Sequence, residues 1–358
     1  MLQYIVKRLF YGFLVLLGVT TIVFILFNVL PGDPARMMLG QRADVASVEA
    51  INKDLGLDQP LVKQYFGFLN DLSPLSIHNI SNEDSFWYLD DSKYQYTALF
   101  GVGSQKIVIK KPYLRRSYQS KRKVSEILAE AFPKTILLAS VSILLSVIIG
   151  ILIGVWIAVK NSIFTERLAL IFTTLGMSVP SFFAAILFAW IFAYLLKEFT
   201  GLNMVGSLYT VDDFGRGEYL DLKNIILPAI VLGIRPLAIV VELTKSSLKE
   251  VLTQDYIRTA KAKGLKYKTI IMKHALKNAL NPVVTAVSGW FASLMAGAVF
   301  VEYVFDWKGV GVVIVDALEK YDFPVIMGAV LTISILLVII NIFVDIIYAT
   351  LDPRIRYS

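Results

Sequence analysis

The residues of this chain best placed to do chemistry lie between Asp255 and Pro282, in DYIRTAKAKGLKYKTIIMKHALKNALNP. Arg258, Lys261 and Lys263 supply positive charge, Asp255 leads the segment, and Gly264 stands near its middle. Ile257, Ala260 and Leu265 give an apolar edge before the glycine. After it, Ile270, Ile271, Ala275, Leu276 and Leu280 recur at helical spacing up to Pro282. Two short helices hinged on a glycine, charged on one side and apolar on the other, suit docking against another protein. The chemistry is recognition, with no bond made or broken. The competing reading is a basic loop resting on anionic lipid headgroups, where each Lys or Arg gains about 1 kcal/mol. That reading accounts for the lysines but gives no reason for the glycine or for the apolar tail ending in Asn281-Pro282.

Arg235 is a second candidate, the one charge well inside the apolar run from Asn224 to Val241. Charges so placed face a bundle interior, pair, or line a water-filled path. Glu242 follows about two helical turns later, so the two can share a helix face. Arg235 is then either a snorkelling residue in a structural pair or a pore-lining cation that meets a carboxylate in transit. Pro180 interrupts another apolar run among the small residues Gly176, Ser178, Ser181, Ala184 and Ala185. It predicts either a kink in a packed bundle or a broken helix lining a path. Asn341 and Asp345, four apart, are placed to satisfy each other or a neighbouring helix.

Bond-making chemistry finds no support. The chain has no cysteine, so it forms no disulfide or thiolate site. Its two histidines, His78 and His274, fall on opposite sides of the membrane in the topology below and share no metal site. His274 lies in the docking segment, where packing or solvation is its expected role. No GxxxxGK[ST] occurs, so any ATP-driven work needs an ATPase on another polypeptide. No Ser/His/Asp set or acid pair stands out. The expectation is no enzyme activity, no cofactor and no nucleic acid.

The elements that must position these residues are membrane helices. The chain of 358 residues is 56% hydrophobic and 18% charged, with mean hydropathy +0.65, too apolar for a soluble domain. Uncharged runs extend from Leu9 to Leu30, Thr135 to Val159, Leu168 to Leu196, Asn278 to Val301, and Phe323 to Val344 and on past Asp345 to Leu351. With the Arg235 run they make six, each near the roughly 20 residues that cross a bilayer. Lys and Arg number 2 before Leu9, 2 from Lys160 to Arg167, 9 from Lys245 to Lys277 and 2 after Leu351. Glu302 to Asp322 instead holds five acids against Lys308 and Lys320. The positive-inside rule therefore puts both termini and the docking segment in the cytoplasm, and the long stretch from Pro31 to Pro133 outside. Pro31 and Pro34 around Gly32-Asp33 end the first helix, read as an uncleaved anchor. Asp352-Pro353 ends the last, with Arg354 and Arg356 at its cytoplasmic end.

The spacing of Ala260, Gly264 and the His274–Lys277 stretch resembles the cytoplasmic EAA loop of ABC-importer permeases. Further motifs narrow the resemblance to the B-type permease of the dipeptide/oligopeptide branch: the N-terminal MLQYIVKRLFYGFLVLLGVTTIVFILFNVLPGDPARMMLG, LGLDQPLVKQYFGFL, LTKSSLKEVLTQDYIRTAKAKGL, VFVEYVFDWKGVG and VDIIYATLDPRIRY. The likeness covers nearly all the chain outside Leu72 to Leu114. It implies an all-α polytopic fold of six transmembrane helices of the type I importer kind, in a bacterial inner membrane. It divides the chain into an anchor, 1–30; an extracytoplasmic region, 31–133; a five-helix core, 134–351, with the coupling loop 245–281; and a cytoplasmic tail, 352–358. It implies ABC ATPase subunits docking on Asp255, Arg258, Thr259, Ala260, Lys261, Gly264, His274 and Leu276. A second permease, identical or not, completes the pore, for which Pro180, Ser181, Arg235 and Glu242 are the lining or gating candidates read from the residues themselves, and an extracytoplasmic solute-binding protein delivers the cargo. Di- and oligopeptides are the expected cargo, with nickel chelates or other small solutes as the alternative. A gradient-driven carrier is a more distant one, since no two similar halves appear and Asp345 is the one deeply placed acid.

Two features depart from the family. Glu242 stands where a basic or neutral residue is expected. Some forty residues, about 72–114, are inserted, rich in aromatics (Phe86, Trp87, Tyr88, Tyr94, Tyr96, Phe100) and ending in an alternating KIVIKK run after Gly101 and Gly103. The alternation near a glycine turn predicts a small, externally placed β element. From Lys106 to Lys123 there are eight Lys/Arg and no acid. The insert is either a solvated decoration or an extra contact for the solute-binding protein or lipid headgroups.

Overall fold

The computed structural model describes residues 2–29, 48–49, 52, 56–82, 85–91, 93–160, 162–212 and 217–351. The Pro31–Pro34 turn, the tail after Leu351 and the Asp345 side chain lie outside the described residues. The chain divides into two compact units, Met1–Glu130 with Val313–Val338, and Ala131–Val312 with Ile339–Ser358.

Among the described residues four helices are long and apolar enough to cross a membrane: Val6–Phe27, Val124–Lys160, Leu222–Leu252 and Phe323–Val344. Two bent pairs, Ile163–Ser178 with Ser181–Leu195 and Asn281–Met295 with Val299–Phe305, raise the number to six if each pair is one span.

In the first unit, α1 (Leu2–Val29) carries Lys7 and Arg8 near its start and no charge from Leu9 onward. Pro60 precedes α2 (Leu61–Leu72), which it can start but not continue into. Phe68 of α2 packs with Val23, Phe24, Met327 and Leu331 in one buried cluster. Thr21 Oγ1 and Tyr65 OH hydrogen-bond at 2.7 Å. The antiparallel strands β1 (Leu75–Asn79), β2 (Tyr96–Val102) and β3 (Gln105–Lys110) form a sheet in the order β1-β3-β2. Gly103, at φ +62°, makes the β2–β3 turn possible.

This sheet is amphipathic in an unusual sense. Ser76, His78, Val108 and Lys110 are buried, while Leu75, Ile77 and Ile109 are exposed. The cause is α2, whose polar side receives the sheet. Asn70 donates to the Ile77 carbonyl and accepts from its N–H, both at 3.0 Å. Tyr94 donates to Asp71 Oδ1 at 2.7 Å, and Lys110 Nζ donates to the Asp71 carbonyl. Polar groups are drawn inward because their partners are there.

At the other edge of this unit Asp322, 4% exposed, accepts from Ser117 Oγ and from the Tyr118 N–H at 2.9 Å. Its own carbonyl takes the first amide bonds of α12 (Phe323–Leu351), so it fastens a loop to a helix start.

In the second unit α3 (Val124–Lys160) continues from the first. It starts well before the apolar run at Thr135, and its length of about 55 Å exceeds a hydrocarbon core of about 30 Å. A Cβ at Gly150 or Gly154 would collide with Val240 or Thr244 of α6 (Ile226–Leu252). Ser146 Oγ also donates to the Gly233 carbonyl at 2.7 Å, so small residues bring α3 and α6 into close contact.

The apolar run around Pro180 is a break and not a mere kink. α4 (Ile163–Ser178) and α5 (Ser181–Phe188, prolonged by π-helical turns Ala189–Leu195) meet at 107°. Val179 and Pro180 are extended between them. Pro180 has no N–H to continue the ladder, and its ring disfavours a helical residue before it. A hairpin, β4 (Tyr209–Val211) with β5 (Glu218–Leu220), precedes α6.

Candidate functional site

Past the end of α6 the chain makes α7 (Asp255–Ala262), turns, and makes α8, running from Tyr267 through π-helical turns Ile270–Ala275 to Ala279. Asp255 in the first turn of α7 opposes the positive helix end. Gly264 sits at φ +73° with nothing within 4 Å of where its Cβ would be. Its N–H donates to the Lys261 carbonyl at 2.9 Å, closing α7 with a left-handed residue that favours glycine.

The inner seam of this arm is apolar. Ile257, Ala260, Ile270, Ala275 and Ala279 pack with Ala158 of α3 and Leu248 of α6. Burying Ile257 and Ile270 at 0% and 1% exposure stabilises the arm by about 3–6 kcal/mol together. The arm is therefore seated on the ends of two helices.

The outer side is open. Asp255, Arg258, Thr259, Lys261, Gly264 and His274 are exposed, Leu276 is half-buried, and Ala260 belongs to the buried seam. Arg258 Nη1 meets Asp255 Oδ1 at 3.3 Å, with both side chains largely in solvent. Such a pair is worth about 0–1 kcal/mol and exchanges readily for another partner. Leu265, grouped with the apolar edge on spacing, stands on the open side at 39% exposure because the turn at Gly264 rotates it out. Tyr256, Tyr267 and Met272 join it there. Sequence reading missed these three: in a helix period they read as ordinary filler, and their openness follows from which face α3 and α6 cover.

The pore candidates are not one cluster. Arg235, Pro180 and Val179 come together, the guanidinium Nη2 donating to the Val179 carbonyl at 3.3 Å. The expected Arg235–Glu242 pair does not form. Glu242 Oε2 is taken by Lys245 Nζ at 2.7 Å, one turn nearer the arm. Arg235 is instead drawn to a carbonyl that the break leaves without a helical partner. Lys249 also pairs with Glu166, tying α6 to the start of α4.

Another acid was misjudged from sequence. Glu302, counted among loop acids, is fully buried in α10 (Val299–Phe305), which follows α9 (Asn281–Gly297) and precedes α11 (Val310–Glu319) in the chain. Its Oε2 accepts from the Gly311 N–H at 2.6 Å, and a Cβ at Gly309 or Gly311 would collide with the carboxylate. Two glycines and one carboxylate thus fold VFVEYVFDWKGVG back on itself, helped by Trp307 Nε1 donating to the Lys134 carbonyl at 3.1 Å. Among the described residues no three His, Asp or Glu assemble as metal ligands.

Residues 150–357 match the family described as binding-protein-dependent transport system inner membrane component. Residues 1–79 match that family's N-terminal region. The stretch between the two matches contains β2 and β3. The chain is 36% identical over 358 residues, covering all of both sequences, to the glutathione transport system permease protein GsiC of Pectobacterium atrosepticum. It is 34% identical to GsiC of Escherichia coli, also over the whole of each. The dipeptide transport system permease protein DppB of Alkalihalophilus pseudofirmus is 32% identical, again with full coverage. Among solved structures the inward-facing MetNI methionine ABC transporter has a chain matching at TM-score 0.50 and 17% identity, over 63% of this chain and 97% of that one. That likeness speaks to the fold alone. The chain belongs to the binding-protein-dependent inner-membrane components: it is a multi-pass ABC-importer permease subunit and not an enzyme, and it works with ATPase subunits, a partner permease and a solute-binding protein.

Proposed function

We propose that this permease forms, with its partner, the path for short peptides, and that the α7–Gly264–α8 arm is where the ATPase subunits push. One observation carries this reading: the arm has an apolar seam buried on α3 and α6 and an open cationic face studded with Tyr256, Leu265, Tyr267 and Met272. A loop merely resting on lipid would need neither the buried seam nor the left-handed glycine turn. Asp255, Arg258, Thr259, Lys261, Gly264, His274 and Leu276 contact the ATPase, and Ala260 holds the arm to its base. Closure of the ATPases then tilts α3 and α6 through Ile257 and Ile270, provided the ATPases bind one state more tightly than the other.

Each bent pair counts as one span in this reading, giving six. Both termini and the loop 245–281 are cytoplasmic; the region 31–133, with the sheet, is outside. The division into 1–30, 31–133, 134–351 and 352–358 follows from that topology. The named substrates of GsiC and DppB, glutathione and dipeptides, favour a peptide cargo. The Pro180 break, with Ser181 beside it, lines the path; Glu242 sits toward its cytoplasmic end.

The test is co-purification from detergent-solubilised membranes, wild type against Gly264→Trp and against Arg258→Glu with Lys261→Glu. An ATPase retained by wild type and lost by both variants is the expected result. Equal retention in all three removes the arm from the interface. Uptake of labelled dipeptide and glutathione by the reconstituted importer tests the cargo.

A further inference from the structure

We propose that Arg235 binds a carboxylate of the solute as it passes the break between α4 and α5. This rests on the peptide reading above and names the group on the peptide that the path recognises.

Arg235 lies within the apolar run from Asn224 to Val241, about 17 Å from its start and about 9 Å from its end along the axis. Its guanidinium bonds the Val179 carbonyl, about 17 Å along the chain of α4 from the start of the uncharged run at Leu168, so it is held within the span and not drawn out to a headgroup. It is nevertheless exposed in the subunit. Facing lipid there would cost about 2.5–3.5 kcal/mol, so it faces something that is not lipid. Glu242, the nearer of the two acids on its own helix, is engaged by Lys245. The hydrogen bond found for Arg235 among the described residues, to the Val179 carbonyl, uses one of its five N–H donors. A full positive charge and most of a planar donor fork stay available.

The bond to Val179 also fixes where that fork stands: beside exposed Pro180 and half-buried Ser181, at the point where the chain leaves helical geometry. Phe182 and Phe183, both exposed on α5, supply apolar surroundings. In such surroundings a guanidinium–carboxylate pair is stronger than in water and is specific to a two-pronged acceptor.

The test uses the complete importer in proteoliposomes, with its solute-binding protein saturated by a dipeptide bearing either a free C-terminal carboxylate or a C-terminal amide. Affinity of the binding protein for each is measured separately, so that loading is equal. Wild type is expected to import the carboxylate form at least about tenfold faster, the scale of one charge-assisted hydrogen bond. Arg235→Gln brings the ratio to about one by slowing the carboxylate form, and Arg235→Lys, charged but without the fork, falls between. An unchanged ratio in Arg235→Gln overturns the proposal and leaves the guanidinium a cap for Val179. So does an equal loss of both peptides with normal assembly. Loss of the partner permease in Arg235→Gln, restored by Arg235→Lys, also overturns it, by placing the counter-charge on the partner. If wild type imports neither peptide, the peptide reading falls and this proposal with it; peptide import with an unaltered ratio sinks this proposal alone.

Discussion

Substitution of Gly264 by asparagine, alanine and tryptophan separates backbone strain from contact with a partner. The position has φ +73° and no atom within 4 Å of a would-be Cβ, so within the subunit any side chain fits. What remains is the left-handed backbone, which costs an L-residue about 1–2 kcal/mol and asparagine less. If docking requires the turn to hold this shape, Gly264→Ala weakens ATPase binding by about 5- to 30-fold, at 1.4 kcal/mol per tenfold. Gly264→Asn stays within a few-fold of wild type. Gly264→Trp adds to the same strain a bulk that is harmless in the free subunit and obstructive once the ATPase covers the turn, so binding falls well beyond the alanine value. The assay is titration of purified ATPase subunits onto the permease in nanodiscs, with thermal unfolding of the free permease as the control for folding. Equal affinities for the alanine and tryptophan variants would refute the reasoning, because they would show that nothing covers Gly264 in the complex.

Asp322→Ala removes the acceptor for Ser117 Oγ and the Tyr118 N–H; a loss of about 2–3 kcal/mol is expected in denaturant unfolding of the permease. Asn70→Ala should raise hydrogen exchange at the Ile77 amide about tenfold while leaving β2 and β3 protected. Burial holds the Lys110 ammonium at about 8, below its usual 10.5, with Asp71 acting in the opposite direction. The folded insert therefore binds fewer protons than the unfolded chain between those values, and its stability rises with pH from about 8. Above about pH 10 the trend reverses, because burial raises the Tyr94, Tyr113 and Tyr118 hydroxyls and the unfolded chain loses those protons first. Thermal melts from pH 7.5 to 10 should show the rise in wild type and not in Lys110→Met. His78, lowered by burial and then by Lys110, has the same sign further down. The insert loses stability as pH falls below 6.5, and His78→Phe removes that loss in the same melts.

Local signals were the legible ones. The glycine hinge and the helical spacing around it are properties of neighbouring residues, and α7, the left-handed Gly264 and α8 follow them. The KIVIKK alternation is likewise β3. Which side of an element is covered depends on residues far off in sequence. The sheet turns Lys110 inward to the Asp71 carbonyl of α2 and His78 inward onto Ser76 and the Tyr94 ring, and no alternation rule contains that. Leu265 and Tyr267 are open, and Glu302 is closed in, for the same reason: packing partners decide and spacing does not. Arg235 and Glu242 share a periodicity but find other partners first, a carbonyl freed at Val179 and an amine at Lys245.

The bond between Ser117 and Asp322 joins residues 205 positions apart, and this has a consequence in time. At about 5–20 residues per second, ribosomal synthesis leaves Ser117 waiting about 10–40 s for its partner. Until α12 is begun, the loop ahead of α3 has no acceptor for its Tyr118 amide. A chain released before Asp322 thus carries every residue of the docking arm and still leaves its first unit unfastened.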